Sequence, residues 1–154
     1  GQFFKHPKSS IDLAVIVTER PIKQAKPLRI GGKPAVGDEL VLLGFGCDST
    51  DGTGGGSLVV GESAVTRVSG HQMVSGEKGD TALLCPGDSG GPSLSKVGKN
   101  WVVSGVHAAV GVEASGEIIG PNYDTLTTLS DSRKFFEKIA EDQEVSICGV
   151  NAGC

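Results

Sequence analysis

Glycine constrains this chain more than any other residue. It supplies 24 of the 154 positions, against 5% aromatics, and the glycines fall between short runs of Val, Leu and Ile. Each glycine inside a helix costs about 1 kcal/mol relative to alanine, so a chain this rich in glycine favours strands joined by tight turns. Six segments read as strands: Ile11–Val17, Asp38–Gly44, Leu58–Val68, Gln72–Val74, Ser93–Val97 and Trp101–Val106. Trp101 reads as a core anchor. Residues 20–34, rich in Pro, Lys and Gly, read as a surface connection between two structural halves. Residues 44–57 read as a mobile loop; Asp48 and Asp51 lie in it without the ligand ladder of a calcium loop. Near the end, Ser130 or Ser132 is placed to cap a helix whose apolar stripe is Phe135, Phe136 and Ile139. The expected class is all-β with one terminal helix.

Charge and length exclude several roles. The net charge is −4, and no block of like charges advertises a nucleic-acid or membrane surface. No apolar run approaches the roughly 18 residues of a bilayer span. Gly1 reads as a processing point or boundary, since no signal-type segment opens the sequence. The four cysteines favour two disulfides and an oxidising compartment, secreted or periplasmic, though four allow three pairings. Cys148 and Cys154 bracket a short flexible loop that can close locally, which leaves Cys47 for Cys85. Zinc is disfavoured because no Cys-x-x-Cys pair exists and the three histidines are scattered. Neither a metal nor a cofactor is expected.

Residues 85–92 read Cys-Pro-Gly-Asp-Ser-Gly-Gly-Pro, a turn crowded with conformationally special residues around one serine. Such a turn can aim successive N–H groups at one point, as an acyl-transfer site requires for a developing oxyanion. Ser89 is the candidate nucleophile, with the N–H groups of Gly87 and Ser89 as oxyanion donors.

The whole eight-residue string resembles the nucleophile signature of the trypsin/chymotrypsin family of serine endopeptidases. Other segments follow the family in order. His6-Pro7 precedes the strand opened by Ile11-Asp12-Leu13; Leu43-Gly44-Phe45-Gly46 and Met73 match further landmarks; Ser104-Gly105-Val106 matches the strand that pairs with substrate backbone; an amphipathic helix ends the chain. The resemblance implies two six-stranded antiparallel barrels with the site between them. Residues 1–30 would supply the end of the first barrel and the connection, 31–130 the second barrel, and 131–154 the helix and a disulfide-closed tail. It also implies that Asp12 is the triad acid, that Asp88 is the aspartate pairing with a newly freed N-terminal ammonium, and that Ser104 lies beside Asp12. Leu83 would sit at the floor of the specificity pocket with Leu84 beside it, and Val106 would shorten the pocket, favouring a small or medium apolar side chain. One alignment puts Asp124 on the pocket wall, where it would accept Lys or Arg.

The sequence departs from the pattern at the general base. His6 matches the His-Pro landmark and reads as a surface or loop residue, His71 reads as a turn, and His107 follows the substrate-pairing strand at a pocket rim or in solvent. The triad histidine is therefore expected on a second, N-terminal chain of roughly 70–100 residues that stays packed on this one. A peptide or protein substrate is the other expected partner, and a protein inhibitor a further one. Two rivals stand beside this reading. A pseudoprotease or binding module would keep the fold without the histidine, although retention of Asp12 and Ser89 argues against it. An α/β-hydrolase would share Gly87-x-Ser89-x-Gly91, but Pro92 and a strand follow the serine where that elbow needs a helix.

Overall fold

The computed structural model describes residues 1–77 and 82–154. Eight strands and one helix follow in order: β1 (Gln2–Lys5), β2 (Ala14–Val17), β3 (Glu39–Gly44), β4 (Val59–Ser69), β5 (Gln72–Ser75), β6 (Pro92–Val97), β7 (Asn100–Val112), β8 (Ile118–Leu126) and α1 (Ser130–Asp142). Strands β1 and β2 form a two-stranded antiparallel sheet of their own, and the other six close into a barrel in the order β3-β4-β5-β8-β7-β6. All the strand pairings are antiparallel, and closure gives every barrel strand two neighbours over at least part of its length.

The period-two pattern explains the barrel interior. Leu40 and Leu42 of β3 point inward and pack with Val65, Met73, Leu84 and Leu126. Burying each such side chain contributes roughly 1.5–3 kcal/mol. A second core joins the β1–β2 hairpin to the helix: Ile11, Leu13, Phe135, Phe136 and Ile139, with Phe4, Val15, Val17 and Val106 against them.

Several sequence expectations change. The strand expected from Ile11 pairs only from Ala14 onward, because Ile11 N–H donates to the Lys8 carbonyl and Leu13 N–H to the Ile11 carbonyl, which bends the chain. Trp101 is not a core anchor; it is 37% exposed, with the Lys96 ammonium 4.9 Å from its ring centroid. Neither serine caps the helix: Leu129 holds the N-cap position, and the Ser132 hydroxyl donates to the Leu126 carbonyl at 2.8 Å. The loop at 44–57 is tied down by the Cys47–Cys85 disulfide and by a Cys47 N–H bond to the Pro86 carbonyl. Cys148 and Cys154 form the second disulfide.

Candidate active site

The turn carrying Ser89 is fixed by its own backbone and by two neighbouring segments. Asp88 N–H donates to the Cys85 carbonyl at 3.0 Å, and Gly91 N–H to the Asp88 carbonyl at 2.8 Å. The Asp88 carboxylate accepts Gly46 N–H on one oxygen (2.8 Å) and Cys85 N–H on the other (2.9 Å). On the far side, Gly90 N–H donates to the His107 carbonyl at 2.9 Å and His107 N–H to the Gly91 carbonyl at 2.8 Å. Among the described residues, the N–H groups of Gly87 and Ser89 find no acceptor, and both residues are exposed. Gly87 stands at φ 101°, a conformation that glycine adopts without strain.

Asp12 is exposed between the buried Ile11 and Leu13. The cluster holding Ile11 and Leu13 packs against Val106, and the next residue of β7, His107, holds Gly90 and Gly91. Consecutive β7 residues thus join the core that includes Ile11 and Leu13 and the turn that carries Ser89.

Ser104, Gly105 and Val106 do not present a free edge for substrate. Gly105 and Val106 pair with Ser93 and Pro92 of β6 on one side and with Leu126 and Thr125 of β8 on the other. Ser104 is fully buried, and its hydroxyl donates to the Ser93 carbonyl at 3.3 Å rather than to Asp12. The open edge of β7 begins only after His107, where β6 has ended; from Ala109 to Val112 the strand pairs with β8 alone.

Leu84 packs in the barrel core as well as standing beside Leu83. The Asn122 amide clamps this stretch: its oxygen accepts Leu84 N–H at 2.7 Å, and its nitrogen donates to the Ala82 carbonyl at 2.8 Å. Leu83 and Leu84 line a small cavity of about 60 Å³ together with Gly44, Asp88 and His107. On its outer side, Leu83 and the Cys47–Cys85 bridge line a more open pocket of about 370 Å³.

The expectation for Asp124 is also revised. It is 0% exposed, and its carboxylate lies 2.6 Å from His107 Nδ1, a pairing invisible to alignment because it depends on strand register. His107 is neither at a rim nor solvated; it is 3% exposed, with Nε2 3.2 Å from the Leu43 carbonyl oxygen. His6 is a loop residue but not a surface one, since its ring stacks edge-on against Phe135 at 5.0 Å. His71 lies in the turn between β4 and β5, as expected. Among the described residues, no histidine hydrogen-bonds to Ser89 or Asp12.

A closed six-stranded antiparallel barrel, a serine turn at its rim and a C-terminal helix define a chymotrypsin-like fold. The family model described as Trypsin matches residues 2–129, and the chain belongs to that family. No curated protein matches it. A trypsin-family domain with two disulfides is typical of secreted proteins.

Proposed function

We propose that this chain is the larger part of a secreted serine endopeptidase whose triad histidine sits on another segment, packed against the β1–β2 hairpin. The observation that carries the reading is the pair of free N–H groups at Gly87 and Ser89, beside an exposed hydroxyl on a turn whose other donors are engaged. Ser89 Oγ attacks the peptide carbonyl as the imidazole takes its proton, and the tetrahedral oxyanion accepts both N–H groups. The intermediate collapses to an acyl-enzyme as the imidazole returns the proton to the leaving amine. Water then repeats the sequence and frees the acid. Asp12 orients the imidazole, and Asp88 holds the turn. In a zymogen form, the same carboxylate would await the ammonium freed by cleavage.

The hairpin supports a missing neighbour. Phe3 and Ile16 are cross-strand partners on the face turned away from the helix, and they are 65% and 69% exposed. An apolar face of this kind is costly in water and suits the remainder of a first barrel. The extended substrate would pair along the open edge of β7 at 109–112. Leu83 and the small cavity behind it favour a small apolar side chain before the scissile bond. One observation favours the binding-module reading instead: among the described residues, no imidazole is hydrogen-bonded to Ser89.

A fluorophosphonate probe separates the two. The protein as isolated should show a second polypeptide on a denaturing gel and a probe adduct on Ser89 that Ser89→Ala abolishes. A single polypeptide that takes up no probe would establish the binding module.

A further inference from the structure

Taking Ser89 as the nucleophile, we propose that His107 and Asp124 are positioning residues for its turn: a buried pair that fixes the strand to which Gly90 and Gly91 are bonded. His107 joins four parts of the molecule. Its main chain holds the two glycines that follow Ser89, its Nδ1 lies 2.6 Å from Asp124 of β8, and its Nε2 lies 3.2 Å from the Leu43 carbonyl of β3. The contact to Asp124 is the shorter of the two, so the carboxyl group is the ring's principal side-chain partner. The Ser93 hydroxyl of β6 is a more distant neighbour of Nδ1, at 3.4 Å. Among the described residues, the only other ionisable group lining the adjoining cavity is Asp88, whose two oxygens are already occupied.

The local backbone is shaped around this contact. His107 pairs with Asp124 and Ala109 with Tyr123, so Ala108 is an extra residue in β7. Such a bulge redirects a side chain, and bulges concentrate beside active sites. Gly91 answers from the turn: a Cβ there would lie 2.8 Å from the His107 ring, so the imidazole rests directly on the nucleophile turn. The second oxygen of Asp124 has no partner among the described residues. A buried carboxylate with one oxygen unpaired is costly, and hydrophobic side chains would fill the barrel at less cost. What it gains is a fixed ring, and through the ring a fixed Gly90. The pair does not replace the missing base, because the Leu43 carbonyl occupies Nε2 and the ring lies behind the turn.

The test compares Asp124→Ala with Asp124→Asn in the intact enzyme, following amide exchange at Gly90 and the saturable acylation of Ser89 by a peptidyl phosphonate. Asparagine keeps an acceptor for Nδ1, whereas alanine removes it. In Asp124→Ala, exchange at Gly90 should quicken about tenfold or more while the core amides of Leu42 and Val65 keep their protection. The limiting acylation rate should fall roughly 10- to 100-fold at an unchanged half-saturating concentration, and Asp124→Asn should stay within about threefold of wild type. If Asp124→Ala does not fold, Asp124→Val, suited to a strand and without an acceptor, carries the same comparison. Unchanged exchange at Gly90 in the variant lacking the acceptor overturns the proposal, and so does an asparagine variant as impaired as alanine. A wild-type enzyme that takes up no phosphonate defeats the nucleophile reading alone, and the exchange comparison still decides the role of the pair.

Discussion

Gly87 shows how one residue can hold a site open. At φ 101° an added Cβ would be strained by the backbone and would approach Gly46 Cα to 2.9 Å. Gly87→Ala should therefore destabilise the protein by more than about 1 kcal/mol and, on the proposed protease reading, slow acylation of Ser89 at least tenfold by turning an oxyanion donor aside. Thermal unfolding and probe kinetics measure the two effects separately. Asp51 offers a second residue-scale test. Hydrogen bonds from the Ser49 hydroxyl first, then the Thr53 hydroxyl and N–H, lower its carboxyl from 3.8 to about 2. A lowered folded-state pKa means that these bonds support the loop at pH above 3.8 and fail as pH falls through about 2. A carboxyl-carbon NMR titration should give a midpoint near 2, and a midpoint near 4 would show that the bonds do not form in solution. At this scale the sequence was most legible where chemistry is local. Residues 85–92 announce a serine turn by themselves, because each special backbone angle needs its own Gly or Pro. The His107–Asp124 pair lies 17 residues apart and meets only through the register of β7 and β8, so no spacing rule reveals it.

Elements were legible where the apolar alternation is clean, as in β3, β4 and β6. Strand β8 escaped because Gly120, Pro121, Asn122 and Asp124 look like loop residues. The register accounts for them. It shifts between Val110 and Val112, so residues 119–121 have no partner on β7 and no ladder bond is asked of Pro121. Asn122 and Asp124 then turn inward to hold Leu84 and His107. The same register moves the open edge of β7, which begins after His107 rather than at Ser104. The disulfides differ in what they tie. Cys47–Cys85 closes 38 residues across two elements, whereas Cys148–Cys154 closes 6 within the tail. Chain entropy assigns the longer closure about 4 kcal/mol and the shorter about 2. Replacing Cys47 and Cys85 by Ser should therefore lower the denaturation midpoint further than the same change at Cys148 and Cys154. It should also slow acylation of Ser89, which the tail variant leaves alone. Equal losses of stability would show that the bridge near the turn is not a structural tie.

At the scale of the whole molecule, one complete barrel and one solitary hairpin stand together, and the hairpin explains most of what the chain lacks. Its inner face is covered by the helix through Phe4, Val15 and Val17, while its outer face shows Phe3 and Ile16 to solvent. The proposed first-barrel segment would cover that face and bring an imidazole to the space beside Asp12. On this account neither chain is a competent hydrolase alone: the larger has the nucleophile, the oxyanion donors and the acid, and the smaller has the base. The most direct measurement is a crystal structure of the intact enzyme with a peptidyl phosphonate bonded to Ser89. The account predicts a phosphonyl oxygen about 3 Å from the N–H groups of Gly87 and Ser89, and an imidazole from the other segment between Ser89 and Asp12. An Asp12 carboxylate turned away from Ser89, or an imidazole supplied by His6, His71 or His107, would contradict it.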